Sequence, residues 1–165
     1  MKIRDAVEKD LPAIVDIYNA AIPGRMACGY IEPVSVESRQ TWYQQHPPKC
    51  RPIWVMEIED KIVGWLSLQF FVGTPAYHAT AEISIYIDPN YKRMGIGKKL
   101  LEKAISESSN CGIKTLIALI FAHNLPSLKL FERSGFQRWG YLPRVAEIGN
   151  VERDVVIMGL RVDEL

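Results

Sequence analysis

The sequence predicts one α/β domain built on a mixed, mostly antiparallel sheet, and three observations carry that prediction. The β-rich run Ala81 to Ile87 passes through a turn at Asp88-Pro89-Asn90 and two closely spaced glycines, Gly95 and Gly97, into residues with helical spacing. Ile53 to Ile58 and Ile62 to Leu68 are strand-like runs separated by Glu59-Asp60-Lys61, which describes an antiparallel pair. Thr115 to Phe121 is almost continuously apolar, the pattern expected of a strand covered on both faces. A chain of 165 residues can bury one sizeable core, so residues 1–165 are expected to form a single domain.

Taken in order, Ile3 to Val7 alternates as a short strand. Asp10-Leu11-Pro12 offers a helix cap followed by proline in the first turn. Ile14, Ile17, Tyr18 and Ala21 then define one apolar helical face, and Pro23-Gly24-Arg25 breaks the helix. Ser35 can cap a second helix with Glu37 in its first turn, and Pro47-Pro48 ends it. Gly73 to Tyr77 reads as a loop before the strand that carries Glu82. Ile96, Leu100, Leu101, Ala104 and Ile105 form a helical stripe that Asn110-Cys111-Gly112 stops. Asn124-Leu125-Pro126-Ser127 starts a last helix ending at Ser134-Gly135, and Val155 to Met158 closes the chain as a strand.

The stretch Lys92-Arg93-Met94-Gly95-Ile96-Gly97-Lys98-Lys99 is an anion site in outline. Glycines let backbone N–H groups approach a ligand, and a helix start adds free donors and the positive end of its dipole. The alternative is a turn with solvated lysines. A Walker loop is excluded because Lys92 stands where its first glycine belongs and Lys99 where Ser or Thr is needed. A dinucleotide fingerprint is excluded because Leu100 stands at the third glycine.

Composition narrows the classes further. The formal charge of +1 argues against a dedicated nucleic-acid binder. Cys28, Cys50 and Cys111 are odd in number and far apart, so neither a disulfide framework nor a metal site is indicated. No apolar run is long enough for a membrane span or signal core, and a reducing cytoplasm is the simplest address.

The glycine segment resembles the acyl-coenzyme A loop of the GNAT family of N-acetyltransferases, with Lys92 in the place of the usual Gln or Arg. The run Asn124, Ser127, Leu130, Phe131, Glu132, Arg133, Gly135 and Phe136 resembles that family's second motif. Thr80-Ala81-Glu82-Ile83-Ser84-Ile85-Tyr86-Ile87 and the segment from Tyr30 to His46 are similar to the phosphinothricin-type branch, which acts on small amino acids and their analogues. The resemblance implies the GNAT fold, with splayed central strands flanked by helices and acetyl-CoA as cofactor. It implies cofactor contacts at Ile85, Tyr86, Ile87, Lys92, Arg93, Met94, Gly95, Ile96, Gly97, Lys98, Asn124 and Ser127. Dimers are common in that branch, and the apolar terminal strand would suit a homodimer.

Transfer to an amine needs a neutral nitrogen, yet α-amino groups titrate at about 8 in peptides, so a base is useful. Glu82 interrupts an apolar strand and is the candidate; the alternative is a solvent-facing residue sharing a face with Ser84 and Tyr86. Partial burial of Glu82 would raise its pKa, and a backbone N–H near Ile85 would serve the oxyanion. Phe131 stands where many relatives carry a tyrosine acid, and it has no proton to give. Thr74 stands where close relatives carry an arginine for the substrate carboxylate, which leaves Arg25 as the candidate clamp, with Tyr30 and Tyr77 as pocket candidates. Each aromatic is equally a core residue by type. The expected activity is direct acetyl transfer to the primary amine of a small molecule, an amino acid or an analogue such as phosphinothricin or methionine sulfone. Two alternatives remain open: acetylation of a protein N-terminus or lysine, and a non-catalytic acyl-CoA sensor.

Overall fold

The structure, a computed structural model, describes residues 1–165. Its seven strands are β1 (Lys2–Asp5), β2 (Ile53–Ile58), β3 (Lys61–Phe70), β4 (Thr80–Ile87), β5 (Thr115–Phe121), β6 (Gln137–Ile148) and β7 (Val151–Arg161). They form one sheet in the order β1-β2-β3-β4-β5-β7-β6. Every neighbouring pair is antiparallel except β4 and β5, which run parallel. Four helices pack on it: α1 (Leu11–Ala21), α2 (Val36–Gln44), α3 (Ile96–Glu107) and α4 (Leu125–Arg133).

The two faces are covered unequally. Helices α3 and α4 close one face along most of the sheet, through a cluster in which Leu66, Leu100, Leu101, Leu116 and Met158 are fully buried. Helix α1 closes the other face over β2, β3 and the Tyr86 part of β4, through Ile14, Ile17 and Tyr18 against Ile53, Val55, Trp65 and Tyr86. Trp65 Nε1 donates to the Ile14 carbonyl at 3.0 Å, so the buried indole keeps its hydrogen bond and pins α1 in place. On that side the half formed by β5, β7 and β6 is open. This corrects the expectation for β5: Leu116, Ala118 and Ile120 are buried, but Leu119 on the opposite face is 48% exposed.

Ser35 caps α2 as expected, accepting from the Ser38 N–H at 3.1 Å. Asp10 precedes α1 but does not cap it. Its carboxylate takes the Val7 N–H at 2.8 Å and the Arg4 guanidinium at 2.6 Å, tying β1 to the helix start instead. The whole of β6 went unforeseen. It is an edge strand, exposed along most of its length, and Pro143 falls in the register break between Leu142 and Ala146, where a missing N–H costs nothing.

The feature that positions the site lies at the centre. Strands β4 and β5 pair only over Thr80–Thr115, Ala81–Leu116 and Glu82–Ile117. Beyond Glu82, β4 continues to Ile87 and β5 to Phe121 without ladder pairing. The splay that the family resemblance implied is present.

Candidate active site

A cleft of about 350 Å³ opens where the two strands part. Glu82 stands at its apex, with Ser84 and Tyr86 following on the same face of β4. Leu119 and Phe121 of β5 form the opposite wall, and Asn124, Ser127 and Phe131 close it from α4. Past Glu82 the edge of β4 facing β5 has no ladder partner, so backbone donors and acceptors of the segment containing Ile85 and Ile87 face the gap. The Glu82 carboxylate enters none of the chain's ion pairs.

The side chain of Tyr86 leaves the gap. Its ring packs on Trp65 at 4.8 Å and Tyr18 at 5.0 Å, and its hydroxyl donates to the Ala27 carbonyl at 3.1 Å. Burial pushes this phenol well above the usual tyrosine range, and burial also pushes Tyr18 up to about 12. Both stay protonated near neutral pH. Cys28 is buried beside them and its thiol is pushed up to about 11 by burial, which removes it as a nucleophile near neutral pH.

The glycine loop lies at the start of α3. Gly95 adopts φ 77°, a left-handed conformation natural to glycine, and the first helical bond runs from Lys99 N–H to the Gly95 carbonyl. The N–H groups of Ile96, Gly97 and Lys98 are therefore left without helical acceptors. A Cβ on Gly97 would sit 2.9 Å from Leu130 Cδ2 of α4 and 3.8 Å from Ile85 Cδ1, so glycine sets the close packing of loop, α4 and cleft floor. Ile96 buries its side chain in the core and offers only its backbone. Lys92, Arg93, Met94 and Lys98 are exposed around the loop, with Lys98 3.8 Å from Glu102. Free amides, a helix N-terminus and surrounding cations fit a pyrophosphate.

Asn124 has two jobs. Its Oδ1 accepts from the Ser127 N–H at 3.3 Å as a helix cap, and its Nδ2 donates to the Met26 carbonyl at 3.0 Å. His123 Nε2 meets the neighbouring Arg25 carbonyl at 2.9 Å. These bonds hold the segment 26–29 over the cleft, where Met26, Ala27 and Gly29 line it. No pattern in the sequence marked that segment, and Ala146 and Val155, which also line the cleft, carried no signal either.

The structure separates the acceptor candidates from Glu82. Arg25 and Tyr30 line a second cavity of about 600 Å³ on the far side of the 26–29 segment, together with Cys28, Glu32 and Gly149. Arg25 has φ 52°, and its guanidinium lies against Gly149 in the turn between β6 and β7. Tyr77 lines neither cavity and packs edge-on against Phe71 at 5.8 Å. No group of three metal-capable side chains occurs, and no helix is long and apolar enough to cross a membrane.

Parallel strands parting around a carboxylate, with a glycine loop at a helix start beside the gap, define an N-acyltransferase site. The chain matches the profile of the acetyltransferase (GNAT) family across residues 11–136 and belongs to that family. It is 44% identical over 160 residues, 96% of this chain and 98% of the other, to YwnH of Bacillus subtilis, a protein named provisionally as a phosphinothricin acetyltransferase. It is 30% identical, over 99% of this chain and 96% of the relative, to the L-methionine sulfoximine/L-methionine sulfone acetyltransferase of Salmonella typhimurium. Among solved structures, a phosphinothricin acetyltransferase from Sinorhizobium meliloti in complex with acetyl-CoA superposes with a TM-score of 0.91. That match is at 25% identity and covers 97% of this chain and 87% of the other.

Proposed function

We propose that this protein transfers the acetyl group of acetyl-CoA directly to the primary amine of a small amino acid or analogue, methionine sulfone and phosphinothricin being representative acceptors. The observation that carries this reading is the parting of β4 and β5 at Glu82, which puts a carboxylate, unpaired backbone groups and the α4 cap around one cleft. Acetyl-CoA, when bound, supplies the activated acetyl thioester. The loop Lys92 to Lys98 holds its pyrophosphate arm through backbone N–H groups, with Asn124 and Ser127 at the cleft end of α4 and the free edge of β4 from Ile85 to Ile87 along the arm. Glu82 takes the proton that the acceptor ammonium must lose before it can attack. The unpaired β4 edge offers N–H donors where negative charge develops. Phe131, 2% exposed and edge-on to Phe136 at 4.9 Å, shapes the wall and donates no proton, so solvent protonates the departing thiolate.

Arg25 and Tyr30 form the outer approach to the cleft, where a cation draws anionic acceptors inward. Tyr77 contributes to the rim at most through its loop. The β6 part of the open face carries Trp139 and Leu142, exposed by 44% and 38%, and a second copy of the chain covers it in a homodimer. Three free cysteines suit a reducing compartment such as the cytoplasm.

The test is thiol release from acetyl-CoA over a panel of free amino acids, methionine sulfone, phosphinothricin and a peptide pool. Release with one or a few small amines supports the reading. Release with peptides alone assigns the protein-acetylating alternative, and cofactor binding without release from any amine overturns catalysis.

A further inference from the structure

Arg153 occupies a place on β7 that nothing in the fold requires to be cationic. Its cross-strand partner on β6 is Ala146 and its same-face neighbour two residues on is Val155, and both of these line the Glu82 cleft. Register fixes the side from which it projects. Val155 pairs with Phe121, Ile117 lies four residues earlier on β5, and Ile117 pairs with Glu82, so Arg153 and Glu82 share one face of the sheet. The cleft thus has a carboxylate at its apex and an arginine beside its far wall.

The cation has no counter-charge. Arg153 enters no ion pair, and its half-buried side chain has a buried Nε without a hydrogen-bond partner. The neighbouring carboxylates lie on the opposite face and are occupied: Asp154 by the Tyr141 hydroxyl and the Arg144 N–H, Glu152 by the Arg144 guanidinium at 3.8 Å. A partly buried guanidinium left unpaired is unfavourable unless a ligand completes it.

We propose that Arg153 binds the carboxylate of the acceptor, which makes the acceptor an amine bearing a carboxylate or similar oxyanion a few bonds from its nitrogen. The planar fork of arginine matches two carboxylate oxygens, so the clamp fixes orientation as well as charge and turns the amine toward Glu82. Arg25, on the far side of the 26–29 segment, steers and does not clamp. This inference rests on the acetyltransferase reading above and deepens it.

The test compares L-methionine sulfone with its methyl ester as acceptors, by thiol release, in the wild-type protein and in Arg153→Gln, Arg153→Lys and Arg25→Ala. Arg153→Gln is expected to raise KM for the free acid by about 10- to 100-fold, the span of a charge-assisted hydrogen-bonded pair. KM and kcat for the ester, which has no carboxylate for the clamp, should stay within about threefold on the same grounds. Arg153→Lys keeps the buried stem and the charge and recovers part of the loss, which keeps the test decisive where the glutamine variant folds poorly. Equal losses toward acid and ester, or discrimination lost in Arg25→Ala and kept in Arg153→Gln, overturn the assignment while leaving acetyl transfer intact. Absence of turnover with every acceptor in the wild-type protein overturns the acetyltransferase reading and this inference with it.

Discussion

Asn124 joins the fold to the acceptor side of the cleft through one side chain, and its two bonds can be cut separately. Asn124→Ala removes the cap on Ser127, worth roughly 0.5–1 kcal/mol at its 3.3 Å length. It also removes the bond to the Met26 carbonyl at 3.0 Å, worth about 1 kcal/mol. The total is about 2 kcal/mol, and at about 2–4 °C per kcal/mol for a domain of this size Tm falls by about 4–8 °C. Asn124→Asp keeps an oxygen for the cap but cannot donate to Met26, so it loses only the second bond, about 2–4 °C. Both variants free the segment that lines the cleft through Met26, Ala27 and Gly29, so both raise KM for the amine. The assay is a thermal melt followed by steady-state kinetics at saturating acetyl-CoA. Equal melting temperatures for the two variants would refute the cap, and an unchanged amine KM in both would refute the coupling of the latch to the acceptor site.

Two further outcomes follow from buried titratable groups. Burial holds the His46 imidazole below the ordinary histidine range, with Nδ1 bonded to the Trp42 carbonyl at 2.7 Å. In the unfolded chain the same ring takes a proton at about pH 6.5, so its contribution is intact above that pH and is lost as pH falls toward the lower folded value. Wild-type Tm should therefore drop more between pH 7.5 and 5.0 than that of His46→Phe, and equal drops in circular-dichroism melts would contradict this. Cys28, 2% exposed with a thiol raised to about 11, should resist a thiol-labelling reagent at pH 8 until denaturant is added. Rapid native labelling at Cys28, located by peptide mapping, would show that the segment 26–29 opens readily.

Local chemistry made parts of this structure readable in advance. The glycine pair, the Ser35 and Asn124 caps, and β2 and β5 are set by residues within a few positions of one another, and the structure places them as expected. The residues that failed to announce themselves depend on distant partners. Asp10 has the right type for a cap, but the Arg4 side chain and the Val7 N–H claim it. Strand β6 is held mainly by β7, with exposed residues and a proline that blur any alternation. Leu119 is apolar yet exposed, because a run of apolar residues does not tell which face has a covering helix. Arg25 stands in the predicted loop but lines a second cavity, and Arg153 shares a sheet face with Glu82 only through strand register.

The most direct measurement is the pH–rate profile of Glu82→Gln beside the wild-type protein, with acetyl-CoA affinity measured by calorimetry in both. The account predicts unchanged cofactor affinity, because the loop at Gly95 and Gly97 is untouched. It also predicts a kcat lower by about 10²- to 10⁴-fold at neutral pH, with the gap narrowing as rising pH deprotonates the amine without help. Equal kcat in the two proteins from pH 6 to 9 would contradict it and remove Glu82 from the chemistry.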